Sequence, residues 1–137
     1  MTVRYPSNIT LIEKEFRHII TDLRDGDGSG LMSSLSFQRY TIVFIDGGKL
    51  RITERISKGI IDYSYYDWEQ SEGRIIKFHS EPHPDDPKYQ TLTEPHHIHP
   101  PDEAKLHNLT RYSNFYHQEL PAILELIFIH MMSKETL

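Results

Sequence analysis

A chain of 137 residues, 37% hydrophobic and 26% charged, is sized for one domain (1–137) around one hydrophobic core. With no cysteine, disulfides and thiolate metal sites are excluded. A formal net charge of -5 weighs against a protein that grips long duplex DNA through a basic surface, and leaves room for a small local site.

The first residues carry no signal-peptide pattern, and the apolar run from Pro121 to Met132 is shorter than a bilayer crossing. A cytoplasmic protein with no membrane association is expected. Ser7-Asn8-Ile9-Thr10 offers capping side chains, and Leu11, Ile12, Phe16, Ile19, Ile20 and Leu23 then fall on one helical face. This predicted helix ends at Asp25-Gly26-Asp27-Gly28-Ser29-Gly30, where glycine cannot sustain it. The run has the look of a calcium loop, but Phe37 stands near the position where such a loop needs glutamate. A turn is expected there.

Ser34 to Ile45 is rich in β-branched and aromatic residues, and Asp46-Gly47-Gly48 is a hairpin signal. Lys49 to Ser57 alternates, with Leu50, Ile52, Glu54 and Ile56 on one face and Arg51, Thr53 and Arg55 on the other. A third strand runs from Ile60 to Glu69, and Gly73 turns it into a fourth, Arg74 to His79. Pro82, Pro84 and Pro87 end regular structure, since proline lacks the ladder donor. Thr93 to Pro101 reads as a short edge strand or an extended loop. A last helix is predicted from about Tyr112 to Met132, with Pro121 in its first turn. The expected fold is α+β: a four- to five-stranded antiparallel meander, an N-terminal helix and a closing C-terminal helix. The apolar stripe of that last helix is wider than one face, which suits a homodimer or a partner protein.

The chemistry concentrates late in the chain, where six of the nine histidines lie between His79 and His107. In a strand His97 and His99 share a face and His96 points away. Two chemistries fit. In the first, His83, His96, His97 and His99 move protons in a metal-independent, 2′-OH-directed cleavage of RNA that needs no cofactor. Arg51, Arg55, Arg74 and Lys77 are candidate phosphate contacts for it, and Tyr63, Tyr65, Tyr66 and Trp68 candidate stacking faces. In the second, the same cluster holds zinc or another transition metal through His97 and His99 with His83 or His79. His18, His117 and His130, far from the cluster in sequence, read as surface or packing residues.

Tyr63-Ser64-Tyr65-Tyr66-Asp67-Trp68, Gly73-Arg74-Ile75, Glu81-Pro82-His83 and Pro95-His96-His97-Ile98-His99 follow one another in an order that resembles the TumE-like family. Asp46 to Glu54 is similar to that family's first hairpin. Tyr66 or Asp67 stands where the family carries a histidine, and Lys77 to Pro84 departs from its R-W-D-N-A-P-H-H segment. The resemblance implies a small prokaryotic toxin of a type II toxin–antitoxin pair, encoded beside a helix-turn-helix antitoxin. On that basis the expected target is RNA or the translation machinery. His97 and His99, with His83 opposite, would handle protons; Arg74 or Lys77 would hold phosphate; Tyr63, Tyr65 or Trp68 would stack on bases. A metal-binding protein and a non-catalytic protein-binding module are the alternative readings.

Overall fold

The computed structural model describes residues 5–6, 8–81, 91–101 and 111–135. It is an α+β arrangement whose sheet is larger than expected. Seven strands run in the order β2 (Ile20–Asp25), β3 (Phe37–Phe44), β4 (Lys49–Ser57), β5 (Ile60–Glu69), β6 (Ile75–Ser80), β7 (His96–His99) and β8 (Tyr112–Ser113), every pair antiparallel. A two-residue strand β1 (Tyr5–Pro6) pairs with the start of β5, and two helices, α1 (Ile9–Glu15) and α2 (Leu120–Glu135), with a 3-10 turn at Arg17–Ile19, complete the described elements.

The central strands follow the alternation of the sequence. β4 buries Leu50, Ile52 and Glu54 and leaves Lys49, Arg51 and Thr53 partly exposed on its other face. At the β3–β4 hairpin the Asp46 carboxylate accepts the Gly48 N–H at 2.8 Å, and Gly47 adopts φ 89, which suits a residue without Cβ. Asp25-Gly26-Asp27-Gly28-Ser29-Gly30 is a turn between β2 and β3, in which the Ser29 hydroxyl and N–H both donate to Asp27 at 2.6 and 2.9 Å.

Three boundaries differ from the periodicity reading, and together they enlarge the sheet. The N-terminal helix stops at Glu15, a 3-10 turn covers Arg17–Ile19, and Ile20–Asp25 is strand β2. Apolar residues three and four apart suited a helix, yet β-branched Ile20 and Thr21 also suit a strand, and pairing with β3 decides between them. The segment near Thr93–Pro101 yields β7 paired between β6 and β8, so it is neither a loop nor an edge. Tyr112 belongs to β8, and the last helix begins only at Leu120, with Pro121 in its first turn.

The core lies between the helices and the even-numbered face of β3 to β6. Leu120, Ile123, Leu124, Ile127 and Met131 of α2 join Ile12, Ile19, Ile42, Ile52, Tyr66 and Trp68 in one buried cluster. The breadth of the α2 stripe is partly accounted for, because Ile129 and Met132 remain exposed while the other apolar positions are covered. Among the described residues no helix is long and apolar enough to cross a membrane.

Leu124 is fully buried, so Leu124→Ala is expected to destabilise the fold by about 2–5 kcal/mol through lost burial and the cavity left behind. The exposed Ile129→Ala should stay within about 0.5 kcal/mol of wild type. Urea unfolding of both variants measures the contrast.

Candidate functional site

Burial of the even face of β5 and β6 turns their odd-numbered side chains outward, and the register brings them into line. Tyr65 stands opposite His79 and His79 opposite His97; one step along, Asp67 faces Lys77 and Lys77 faces His99. On β7, His97 and His99 lean to this outer side, whereas His96 turns inward, its Nδ1 2.7 Å from the Ser80 hydroxyl. The entry to β7 is pinned by two threonines, whose hydroxyls donate to the His96 carbonyl at 3.1 Å from Thr91 and 2.6 Å from Thr93. The Asn114 N–H in turn donates to Thr93 Oγ1 at 2.8 Å.

This produces a pocket of three imidazoles. His79, His97 and His99 each present a ring nitrogen, and the three atoms lie within 4.8 Å of one another. The rings meet edge to face, with centroids 5.8 Å apart for His79 and His97, 4.8 Å for His79 and His99, and 4.9 Å for His97 and His99. His97 is set deepest, at 1% exposure, and the other two are half-buried.

Two neighbours fix His79. Asp67 Oδ1 is 2.9 Å from His79 Nε2. An ionised carboxylate only accepts, so it draws the ring proton to Nε2 and leaves the lone pair on Nδ1. Tyr65 packs edge-on against the same ring at 4.7 Å and donates its hydroxyl to Glu81. Burial, then the hydrogen bond to Glu81 and its charge, push the Tyr65 hydroxyl well above its ordinary range, so it remains a donor.

The electrostatics of His99 are equally one-sided. Burial is the largest influence and the cationic forms of His79 and His97 come next, followed by Arg111 and Lys77; together they push its imidazole from 6.5 down to about 3. His99 is therefore a neutral lone-pair donor at neutral pH. His96, on the opposite face, is lowered as well, by burial against a weaker opposing pull from Glu94.

An aromatic strip leads to the pocket along the outer face. Phe37 and Tyr63 lie 6.5 Å apart, Tyr63 and Tyr65 5.6 Å, and Tyr65 abuts His79. At the far end the Arg39 guanidinium sits 4.3 Å over the Phe37 ring, with that of Arg55 5.6 Å from it.

Of the residues singled out from sequence, the outer face unites Arg51, Arg55, Tyr63, Tyr65, Lys77, His79, His97 and His99. It does not unite Tyr66, Trp68, Arg74 and His96. Trp68 lies on the core face, 4% exposed and edge-on to His130 at 5.1 Å, and Tyr66 is buried there with its hydroxyl donated to Glu54. Stacking on bases is ruled out for both by alternation, since residues an odd number apart on a strand face opposite ways. Arg74 is exposed in the β5–β6 turn, five residues from His79 and thus about 16 Å along the strand. His96 is separated from its neighbours by the sheet itself, and His83 lies outside the described residues. His18 meets Phe128 edge-on at 5.2 Å, and His117 donates its N–H to Asn114 at 2.9 Å, both of them packing positions. Asp67, Glu81 and Arg111 were not singled out, and His79 stood only as an alternative to His83. A signal did exist for Asp67. A turn centred on Glu72 pairs residues whose numbers sum alike, which sets Tyr65 against His79 and Asp67 against Lys77.

The His99 shift has a consequence for stability. In the unfolded chain this imidazole takes up a proton near 6.5, whereas in the fold it resists until about 3. The unfolded state thus binds more protons across that window, and stability falls as the pH drops through it. Melting temperatures followed from pH 6.5 towards 3 in chelator should fall more steeply for wild type than for His99→Asn. Parallel curves would remove His99 as a source of acid sensitivity.

No curated protein and no solved structure matches the chain. The model of the family described as Toxin TumE matches residues 8–129, a span that takes in α1, β2 to β8, the histidine pocket and most of α2. With most of its length accounted for in this way, the chain belongs to the TumE toxin family.

Proposed function

We propose that this chain is the toxin of a toxin–antitoxin pair, that it works in the cytoplasm, and that it cleaves RNA on the outer face of its sheet. The toxin class follows from family membership, which also implies an antitoxin; that the antitoxin is a helix-turn-helix protein is part of this proposal. The observation carrying the RNA reading is the strip of Phe37, Tyr63 and Tyr65, flanked by Arg39 and Arg55, that runs into His79, His97 and His99.

Single-stranded RNA is held by aromatic faces that stack on bases and by cations that meet its phosphates. Tyr63 and Tyr65 supply half-exposed rings, and Lys77 stands beside His99 in the same register line. A phosphate drawn to Lys77 would lie against the imidazoles. Cleavage there forms a bond from the 2′-oxygen to phosphorus as the bond to the 5′-oxygen breaks. The proton of the 2′-hydroxyl passes to the pocket, and one is returned to the leaving 5′-oxygen.

Induced expression in a bacterial host tests this. Wild type should arrest growth with loss of total RNA, and His97→Ala/His99→Ala should do neither while remaining folded. Tyr63→Ala should weaken RNA binding by about 1–3 kcal/mol, roughly five- to 150-fold. Arrest with RNA left intact would move the target to the translation machinery. A soluble, folded wild type that leaves growth untouched would sink the toxin reading and favour a protein-binding module.

A further inference from the structure

We infer that His79, His97 and His99 form a three-histidine site for a divalent transition metal, zinc in the first instance, with its fourth position open to water. The inference rests on reading the outer face as the working face, and it deepens that reading by naming the cofactor.

The geometry carries it. Two residues on one strand and one directly across on the next bring three ring nitrogens within 4.8 Å of one another. Imidazoles on tetrahedral zinc, at about 2.0–2.1 Å each, hold their nitrogens about 3.3 Å apart. Small rotations about the side-chain torsions close that difference, because all three rings already converge on one side of the sheet. Three protein ligands and a free position make the donor set of catalytic rather than structural zinc.

The donor chemistry selects the class of ion. The group holds imidazole alone, whereas calcium and magnesium ask for oxygen ligands, and the non-haem iron triad requires a carboxylate in the first shell. Among the described residues, the Asp67 carboxylate beside the group is already engaged with Nε2 of His79. That is the outer partner a metal-bound histidine ordinarily has: it fixes the tautomer and leaves Nδ1 for the metal. His97 at 1% exposure provides a deep anchor, and half-buried His79 and His99 leave the solvent side for water or a phosphate oxygen. Zinc there would acidify a bound water and polarise a phosphoryl oxygen, so that water, rather than imidazoles whose lone pairs are on the metal, would take up the 2′-hydroxyl proton in RNA cleavage.

The test uses purified full-length protein stripped with chelator and titrated with zinc, and with cobalt as a spectroscopic stand-in. About one zinc per chain should bind, and cobalt should give the intense visible absorption of a tetrahedral site. His97→Ala/His99→Ala should abolish both, Asp67→Asn should weaken zinc about 10- to 100-fold, and the exposed His18→Ala should leave both unchanged. Trp68, the only tryptophan and 4% exposed, reports by fluorescence whether each variant is folded. Binding that is not saturable, or that persists in the double variant, overturns the inference. RNA cleavage at full rate by protein that binds no zinc would also overturn it, while leaving the RNA reading intact. Stoichiometric, histidine-dependent zinc with RNA untouched would do the reverse.

Discussion

The arrangement of this protein depends on the register of β5, β6 and β7. Side chains in a strand alternate, so a slip of one residue would carry Tyr65, His79, His97 and His99 into the core and expose Tyr66, Phe78 and Ile98. Burial on one face therefore dictates chemistry on the other. Tyr66 and Phe78, 2% and 3% exposed, pack beneath α2 with Ile98 against the same cluster, and their burial is what holds the odd-numbered histidines outward. Three imidazoles at this spacing repel once protonated, so the cluster relies on that burial to hold it together.

A second, polar line reinforces that register from the inner side. Gln38, Glu54, Ser64, Ser80 and His96 stand opposite one another across β3 to β7. Glu54 accepts from the Tyr66 hydroxyl, and Ser80 bonds His96. Buried polar groups are tolerated only when partnered, so each of these bonds penalises every register that would break it. The apolar line Ile52, Tyr66, Phe78 and Ile98 supplies burial without much directional preference; the polar line beside it supplies the direction. This division explains why polar groups sit so near the core, and why the outer face can be given over to groups that contribute little to stability.

The legible and illegible parts of the fold divide along the same physical grounds. β3 to β6 were readable because each carries alternation and each is joined to the next by a short glycine turn, which fixes partner and register together. The turn at Gly73 even held the pairing of Tyr65 with His79. The arrival of β7 beside β6 was not readable, because the connection from Glu81 to Pro95 is too long to specify a partner. The same gap hid the pocket: His79 and His97 are neighbours only through that pairing. β2 was lost to a short apolar pattern that fits both periods, and β8, two residues long, carries no pattern at all. Grouping Trp68 with Tyr63 and Tyr65 disregarded the alternation that separates them. The histidine parity on β7, by contrast, followed from alternation directly.

Net charge was a poor guide to the outer face, for a reason the sheet makes plain. Alternation sorts charge as well as hydrophobicity. Arg39, Lys49, Arg51, Arg55 and Lys77 share the outer face of β3 to β6 with Asp67 and Glu69, Glu81 accepts the Tyr65 hydroxyl just past β6, and Asp27 lies 3.9 Å from Arg39. Glu69 is engaged by Arg51 at 3.1 Å and Asp67 by His79 at 2.9 Å, so their charge is answered locally. A chain that is acidic in total thus carries a basic, aromatic face beside its histidines. Such a face attracts a polyanion over roughly one Debye length, about 8–10 Å at physiological salt. For the RNA substrate we propose, that short range suits a flexible strand, which can enter the strip while most of its length stays in solvent, better than a rigid duplex that must lie across the whole surface.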